Sequence, residues 1–152
     1  MLNKEGLRAV IKRTLEKLDA ETKGLIKFTP EAVELLMMTC AHESLLGTYR
    51  RQTGGGPALG IFQMEPDTFN DIQTNFIAYR PVLKALLGHR KAEELVDDDI
   101  LAIMMARVLY FRAREPIGST PESWAALAKL RYNTVAGKAT EEKYLADYNK
   151  YA

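Results

Sequence analysis

The most restrictive feature of this sequence is one helix-length segment, residues 100–111, in which almost every side chain is apolar. Three acidic residues, 97–99, come directly before it and complement the positive end of a helix dipole. A helix that is apolar on nearly all sides must be covered on nearly all sides. The segment therefore predicts a helix at the centre of a bundle. It is interrupted by Arg107 and is too short to cross a membrane.

Start signals for other helices recur along the rest of the chain. Thr29-Pro30 and Thr120-Pro121 each place a capping side chain ahead of a proline, which needs no N–H in the first helical turn. Pro66, Pro81 and Thr140 mark three more helix starts. Together with an amphipathic N-terminal segment, these signals predict a mainly α fold in one domain that spans residues 1–152.

A glycine-rich stretch interrupts this helical pattern between Gly47 and Met64. Gly47 is expected to end the second helix, and the polar residues 48–57 contain three consecutive glycines, 54–56. Glycine at this density disfavours a helix and favours turns. We therefore expect a loop or a small β-hairpin here, which includes the short apolar segment 60–64.

Composition and charge argue against several classes of function. The chain carries 21 basic and 20 acidic side chains, so it lacks the basic excess typical of nucleic-acid-binding proteins, and no nucleic-acid partner is expected. Cys40 is the only cysteine, and the two histidines, His42 and His89, are far apart in the sequence. No disulfide, metal site or cofactor is therefore predicted. We expect a monomer that does not insert stably into a membrane.

A carboxylate lies where the second helix should present a buried side chain. The apolar residues that recur at helical spacing on this helix are Val33, Leu36, Met37 and Cys40. Glu43 continues the same stripe, and burial would raise its pKa and keep it protonated near neutral pH, as a general acid requires. The alternative is a carboxylate at the helix rim that forms a salt bridge with Arg50 or Arg51. His42 points about 100° around the helix from Glu43 and is expected to have no role.

The order of the motifs around this acid resembles that of the soluble lytic transglycosylases and the goose-type-lysozyme-like muramidases. Glu43-Ser44 is followed by the glycine-rich stretch and by residues 58–68, which are similar to the Gly-Leu-Met-Gln-like strand and Pro-x-Thr of those families. Residues 100–110 resemble their central buried helix, and residues 124–133 resemble the helix that ends in their Tyr-Asn-Ala-Gly motif. The resemblance covers residues 30–150. It implies a lysozyme-like helical domain in which the glycine-rich segment lines a cleft.

This resemblance implies a role for each matching residue. Glu43 corresponds to the catalytic acid/base, and Ser44 corresponds to the residue that supports it. Gln63 corresponds to a cleft glutamine that forms hydrogen bonds with the N-acetyl or hydroxyl groups of a sugar. Tyr132 corresponds to a tyrosine that approaches the acid, and Asn133 corresponds to an asparagine on the cleft floor beside it.

Gly60 corresponds to a position where the strand backbone comes close to the saccharide, which a residue without a side chain permits. The chain departs from the family pattern after the Tyr-Asn pair, because residues 134–137 are Thr-Val-Ala-Gly instead of Ala-Gly. A longer turn is expected there. Tyr49 and Phe62 are the candidates for stacking against a sugar, whereas Trp124 is expected in the core.

The resemblance further implies cleavage of the β-1,4 bond between N-acetylmuramic acid and N-acetylglucosamine in the glycan strand of peptidoglycan. In a lytic transglycosylase one acid protonates the leaving oxygen, the neighbouring N-acetyl group assists, and the same residue activates the C6 hydroxyl to close a 1,6-anhydro ring. A hydrolytic muramidase, the alternative, needs a second carboxylate, for which Glu65, Asp67 and Asp71 are candidates, with Asp67 or Asp71 favoured. A non-enzymatic wall-binding or virion structural module is the third hypothesis.

The expected location follows from the substrate and from the N-terminal sequence. The first twenty residues mix basic and acidic side chains and lack the compact apolar stretch and cleavage site of a secretory signal. Peptidoglycan nevertheless lies outside the cytoplasm. This combination predicts a phage or prophage protein, which is either an endolysin that reaches the wall or periplasm through holin lesions or a lysis module carried in the virion.

Overall fold

The protein is built almost entirely from helices. The structure, a computed structural model, describes residues 1–133 and 137–152, and within them it contains no β-strand. The α-helices are α1 (Lys4–Glu21), α2 (Pro30–Ser44), α3 (Pro66–Asn75), α4 (Pro81–Leu87), α5 (Asp99–Ala113), α6 (Pro121–Leu127) and α7 (Glu141–Tyr151). Short 3-10 turns cover Ile77–Tyr79 and Ala92–Val96. The predicted mainly α fold is confirmed.

The predicted helix starts are confirmed by the capping contacts. The hydroxyls of Thr29, Thr120 and Thr140 each accept a hydrogen bond from the backbone N–H three residues later, over 3.1–3.2 Å. Prolines occupy the first turns of α2, α3, α4 and α6, where the missing N–H costs no helical hydrogen bond. These helix starts are set by local chemistry, which is why the sequence reveals them.

Two helices, and not one, form the centre of the domain. On α5, 9 of 15 residues are buried, as its apolar sequence predicts. On α2, 10 of 15 residues are buried, because this helix packs against α1, α5, α6 and α7. Its apolar surface is therefore wider than the single stripe seen in the sequence. The last turn of α2, which carries Glu43, is consequently held by the core on several sides.

The end of α2 differs from the expectation. The helix ends at Ser44, three residues before Gly47, and Leu45 and Leu46 both adopt left-handed backbone conformations, with φ of 54° and 50°. The backbone N–H of Gly47 then donates to Ser44 Oγ over 2.8 Å. This hydrogen bond closes a tight turn directly after the acid.

The glycine-rich stretch is a loop with two isolated β-bridges. Leu59 pairs in antiparallel fashion with both Arg51 and Met64, and no strand forms around these bridges. The expected loop is thus present, and the alternative of a regular hairpin is not confirmed. Arg50 anchors the loop to α5 through a paired hydrogen bond to Asp99.

The helix predicted to start at Thr120-Pro121 does run as far as Tyr132 and Asn133, but its second half changes form. After Leu127 the chain continues as a π-helical segment, Ala128–Asn133. The longer turn expected at residues 134–137 falls largely on 134–136, which lie outside the described residues. None of the helices in the described part of the chain combines the length and hydropathy required to span a bilayer.

Candidate active site

A cleft of about 420 Å³ lies beside the last turn of α2. Its walls come from that turn, from the loop after it and from the π-helical segment. Residues on these walls include Glu43, Tyr49, Gln63, Glu65, Tyr132 and Asn133. Four of the six predicted site residues therefore line this cleft: Glu43, Gln63, Tyr132 and Asn133. The other two, Ser44 and Gly60, are buried beside them.

Glu43 is a largely buried acid whose carboxylate accepts a hydrogen bond from a tyrosine. The hydroxyl of Tyr144, on α7, donates to Glu43 Oε2 over 2.8 Å. Burial raises the pKa of Glu43, and this effect outweighs the opposing effects of that hydrogen bond and of His42 nearby. The carboxyl group therefore keeps its proton to a higher pH than an exposed glutamate does.

The alternative of a salt bridge from Glu43 to Arg50 or Arg51 is wrong. Arg50 pairs with Asp99, with 2.5 Å between Nη1 and Oδ1 and 3.0 Å between Nη2 and Oδ2. Arg51 Nη2 lies 2.5 Å from Glu93 Oε1. Both arginines thus form ion pairs with other carboxylates. Among the described residues, no lysine or arginine forms an ion pair with Glu43.

Glu34, on the same helix, shows what a cation does to a similar carboxylate. Tyr148 donates to Glu34 Oε1 over 2.6 Å, and Arg8 Nε donates to Glu34 Oε2 over 2.9 Å. Burial alone would raise the pKa of Glu34, but the hydrogen bonds from Arg8 and Tyr148 outweigh it, and the pKa is lowered. Glu43 and Glu34 each accept a hydrogen bond from a tyrosine of α7. Within the described residues, only Glu34, which lies outside the cleft, also forms an ion pair with an arginine.

Ser44 joins the turn that carries the acid to the loop on the other side of the cleft. Its hydroxyl is fully buried and donates to the carbonyl of Ile61 over 2.5 Å. The same oxygen accepts the N–H of Gly47. Because this buried hydroxyl both donates and accepts a hydrogen bond, it holds two backbone segments together. This fixes the position of Glu43 relative to that of Gln63.

Gly60 is required for a reason other than the expected one. Its φ is +78°, and a Cβ at this position would lie 2.4 Å from the carbonyl oxygen of Leu95. The space that a side chain would need is thus filled by backbone from the turn before α5 and is not open to a saccharide. The expectation that this glycine admits the sugar is corrected: it admits the close packing of the loop.

The two amide side chains of the cleft are partly used by the protein itself. Gln63 Nε2 donates to the carbonyl oxygens of Tyr49 and Gly60, both over 3.0 Å. Asn133 Oδ1 accepts a hydrogen bond from Lys129 Nζ over 3.0 Å. The Gln63 oxygen has no donor among the described residues, so it can accept an N–H or O–H from a bound molecule.

The tyrosine that contacts the acid is Tyr144, not Tyr132. The hydroxyl of Tyr132 donates instead to the carbonyl of Phe62 over 2.6 Å, and its ring centroid lies 5.7 Å from that of Tyr110. Burial, and then the charge of Glu43, raises the pKa of Tyr132 well above its usual value. Tyr132 therefore lines the cleft near the acid as a neutral phenol, but its hydrogen bond fixes the loop.

The expectation that His42 has no role is corrected, because His42 contacts both Asp147 and Tyr144. Its Nδ1 lies 2.8 Å from Oδ2 of the buried Asp147, and its ring centroid lies 4.0 Å from that of Tyr144. Lys143 Nζ donates to the other oxygen of Asp147 over 2.8 Å. The pair joins α2 to α7 directly beside the tyrosine that contacts Glu43.

The second-carboxylate candidates differ in position. Glu65 is exposed on the cleft wall, and its carboxylate makes no capping hydrogen bond to α3. Asp67 is exposed in the first turn of α3 and is not on the wall. Asp71 accepts a 2.7 Å hydrogen bond from Arg112, away from the cleft. Of the three, Glu65 shares the cleft with Glu43, so the expectation for Asp67 and Asp71 is corrected.

The aromatic residues considered for sugar stacking or for the core differ in their exposure. Tyr49 is 48% exposed on the cleft wall, where a ring can stack against a ligand. Phe62 is 1% exposed, so the expectation that it stacks on a sugar is wrong. Trp124 is buried, and its indole N–H donates to the carbonyl of Gly118 over 2.7 Å, as expected of a core residue.

The cleft therefore offers proton transfer from a carboxylic acid, together with amide and aromatic contacts. Within residues 1–133 and 137–152, no group of three His, Cys, Asp or Glu side chains is arranged to hold a metal ion. Models of known protein families, curated proteins and solved structures give no match to this chain. The chemistry of the cleft is therefore the basis on which a function can be proposed.

Proposed function

We propose that this protein cleaves the glycan strand of peptidoglycan at the bond between N-acetylmuramic acid and N-acetylglucosamine, with Glu43 as the general acid and base. The observation that carries the proposal is a glutamic acid of raised pKa on the wall of an open cleft, without a cation partner among the described residues. A raised pKa increases the protonated fraction of the carboxyl group, and the protonated form is the one that can donate to a glycosidic oxygen.

In the proposed reaction Glu43 acts twice. It first donates its proton to the leaving glycosidic oxygen, while the neighbouring N-acetyl group of the substrate stabilises the developing positive charge at the anomeric carbon. The resulting carboxylate then accepts the proton of the C6 hydroxyl as that oxygen closes a 1,6-anhydro ring. The hydrogen bond from Tyr144 stabilises the carboxylate between the two steps, because a phenol of strongly raised pKa is a donor throughout.

The proposed sugar contacts use the polar atoms left on the cleft walls. Gln63 Oε1 accepts the N–H of an N-acetyl group or a sugar hydroxyl, since its amide nitrogen is occupied by Tyr49 and Gly60. The exposed ring of Tyr49 packs against a sugar face. Asn133 adds an amide nitrogen on the floor beside Tyr132.

A hydrolytic muramidase is the second candidate, and one observation favours it. Glu65 lies on the wall of the same cleft and makes no capping hydrogen bond to its helix, so it is available to activate a water molecule. A two-carboxylate mechanism places one acid and one carboxylate on either side of the scissile bond. Glu65 replaces Asp67 and Asp71 in this alternative.

Product analysis separates the two reactions. Purified peptidoglycan is digested with the wild-type protein and with E65Q, and the released muropeptides are identified by mass spectrometry. We expect products one water lighter than those of a hydrolytic muramidase, with 1,6-anhydro ends, from both proteins. Reducing ends from the wild type, lost in E65Q, would instead establish hydrolysis with Glu65 as the second carboxylate.

The same digest tests the non-enzymatic hypothesis. A wall-binding or structural module would sediment with insoluble peptidoglycan and release no soluble product. That outcome would overturn the proposed cleavage, whatever the affinity for the wall.

A further inference from the structure

A second cavity, of about 560 Å³, lies apart from the Glu43 cleft and shares no lining residue with it. It opens between α5, the segment before α2 and the segment after α5. Phe76, Phe111 and Ile117 give it apolar walls. Four cationic and two acidic side chains also line it, so its charge favours an anion.

Arg107 is the unexplained residue of this cavity. It lies on the central helix α5, is 9% exposed, and forms no hydrogen bond or ion pair with the described residues. Burial lowers the pKa of Arg107, yet a guanidinium still keeps its proton at neutral pH. A buried charge without a partner is costly to the fold, and such groups are usually paired or bind something.

Glu115 provides a complementary group on the same walls. Its Oε1 accepts hydrogen bonds from Arg131, which lowers the pKa of Glu115 and keeps it ionised. Its Oε2 is buried and has no hydrogen-bond partner among the described residues. One unpaired cationic side chain and one unpaired carboxylate oxygen therefore lie among the residues that line this cavity, which is the pattern of a site for a ligand that carries both complements.

We propose that this cavity binds a peptide C-terminus or an acylated amino acid, whose carboxylate pairs with Arg107 and whose amide N–H donates to Glu115. Arginine binds a carboxylate through two parallel hydrogen bonds, which suits a planar anion. A free phosphate ion meets the same cation but brings additional negative charge close to Glu115. The aromatic walls then contact the side chain next to the terminal carboxylate.

Titration of the ¹⁵N-labelled full chain with four probes tests the site, and changes in the amide chemical shifts report binding. N-acetylalanine carries both groups, its amide derivative lacks the charge, O-acetyl-lactate lacks the N–H, and inorganic phosphate is a bare anion. We expect saturable shifts around Phe111 and Ile117 with N-acetylalanine, and at least about tenfold weaker binding of the amide derivative. O-acetyl-lactate should bind more weakly than N-acetylalanine by about three- to tenfold.

Two variants assign the binding to Arg107. R107M should weaken N-acetylalanine at least about tenfold, whereas K12M, which removes an exposed cation of α1 outside the cavity, should change it by less than about threefold. R107M should also unfold at an equal or higher urea concentration, because it removes an unpaired buried charge. Resistance to urea shows that the loss of binding is not a loss of fold.

Three results would overturn the proposal. These are the absence of saturable shifts with N-acetylalanine, unchanged binding in R107M, and tighter binding of phosphate than of N-acetylalanine. None of these measurements involves glycan cleavage or a residue of the Glu43 cleft, so the proposal stands or falls separately from the proposed enzymatic function.

Discussion

Tyr144 donates a 2.8 Å hydrogen bond to Glu43 across 101 positions of the sequence. This contact joins α7 to α2, and it places a neutral donor on a carboxyl group whose charged form is disfavoured by burial. The acid is thus held in place without being neutralised by a cation. This combination gives the cleft a proton donor that can also exist as a carboxylate.

Removal of this hydrogen bond should raise the pKa of Glu43 further. In Y144F the carboxylate loses a donor that favours the charged form, so carboxyl titration followed by ¹³C NMR should move to higher pH. The alkaline limb of the pH–activity profile should move in the same direction. Y148F is the matched control, because it removes the equivalent hydrogen bond from Glu34. An unchanged or lowered Glu43 pKa in Y144F would contradict the assigned role.

The two glutamates of α2 should affect stability in opposite directions. The pKa of Glu43 is higher in the folded state than in the unfolded state, so the folded state binds more protons between these two pKa values. The free energy of unfolding therefore falls as pH rises from the unfolded pKa through the folded pKa. The lowered pKa of Glu34 means that its contribution is present at neutral pH and is lost as pH falls through the acid range.

We therefore expect E43Q to stabilise the protein at neutral pH by about 1 kcal/mol and E34Q to destabilise it by about 1 kcal/mol. Both differences from the wild type should shrink in acid, where the carboxyl groups are protonated in every state. Urea unfolding at neutral and acid pH measures them. A destabilised E43Q at neutral pH would show that Glu43 serves the fold and would contradict the account.

Asp147 should hold Tyr144 in position through His42. D147A leaves the histidine and a lysine without their partner, and we expect a loss of about 1–3 kcal/mol in the free energy of unfolding. K143A removes the exposed partner of the same carboxylate and should cost much less than D147A, because an exposed ion pair contributes little to stability. Glu43 titration provides the specific readout: it should change in D147A and stay as in the wild type in K143A.

Gly60 and Gly54 allow the effect of a positive φ to be distinguished from the effect of a steric clash. Both have positive φ, but a Cβ at Gly60 would collide with Leu95, whereas a Cβ at Gly54 meets nothing within 4 Å. G54A should therefore cost about 1 kcal/mol, and G60A should cost about 3 kcal/mol or more. Thermal unfolding compares the two variants. If G60A retained wild-type stability but lost activity, the saccharide and not Leu95 would be the reason for this glycine.

The sequence predicts much of the fold because its signals are local. A threonine hydroxyl caps the N–H three residues later, and a proline suits the first helical turn, whatever surrounds them. The apolar helix at residues 100–111 requires cover on all sides, and it lies in the core. By contrast, the end of α2 depends on the buried hydroxyl of Ser44, whose partner Ile61 belongs to a different segment. Sequence spacing alone therefore predicts the helix end at Gly47, three residues beyond the observed end at Ser44.

The site could be predicted only in part for the same reason. The apolar stripe of the second helix points to Glu43, the motif order points to Gln63, Tyr132 and Asn133, and all four line one cleft. Tyr144 was missed, since nothing in its neighbourhood indicates a contact with an acid 101 residues away. Its helical spacing with Tyr148 was the available signal, because two tyrosines one turn apart can face two carboxylates on a packed helix.

The most direct test of the account compares E43Q with E34Q in the rate of release of soluble muropeptides from purified peptidoglycan. Both variants replace a glutamate of α2 that accepts a hydrogen bond from a tyrosine of α7, and only one of them lies in the cleft. We expect E43Q to lower the rate by about 10²–10⁴-fold and E34Q to leave it within about threefold of the wild type. Equal rates for E43Q and the wild type would contradict the assignment of Glu43 as the acid.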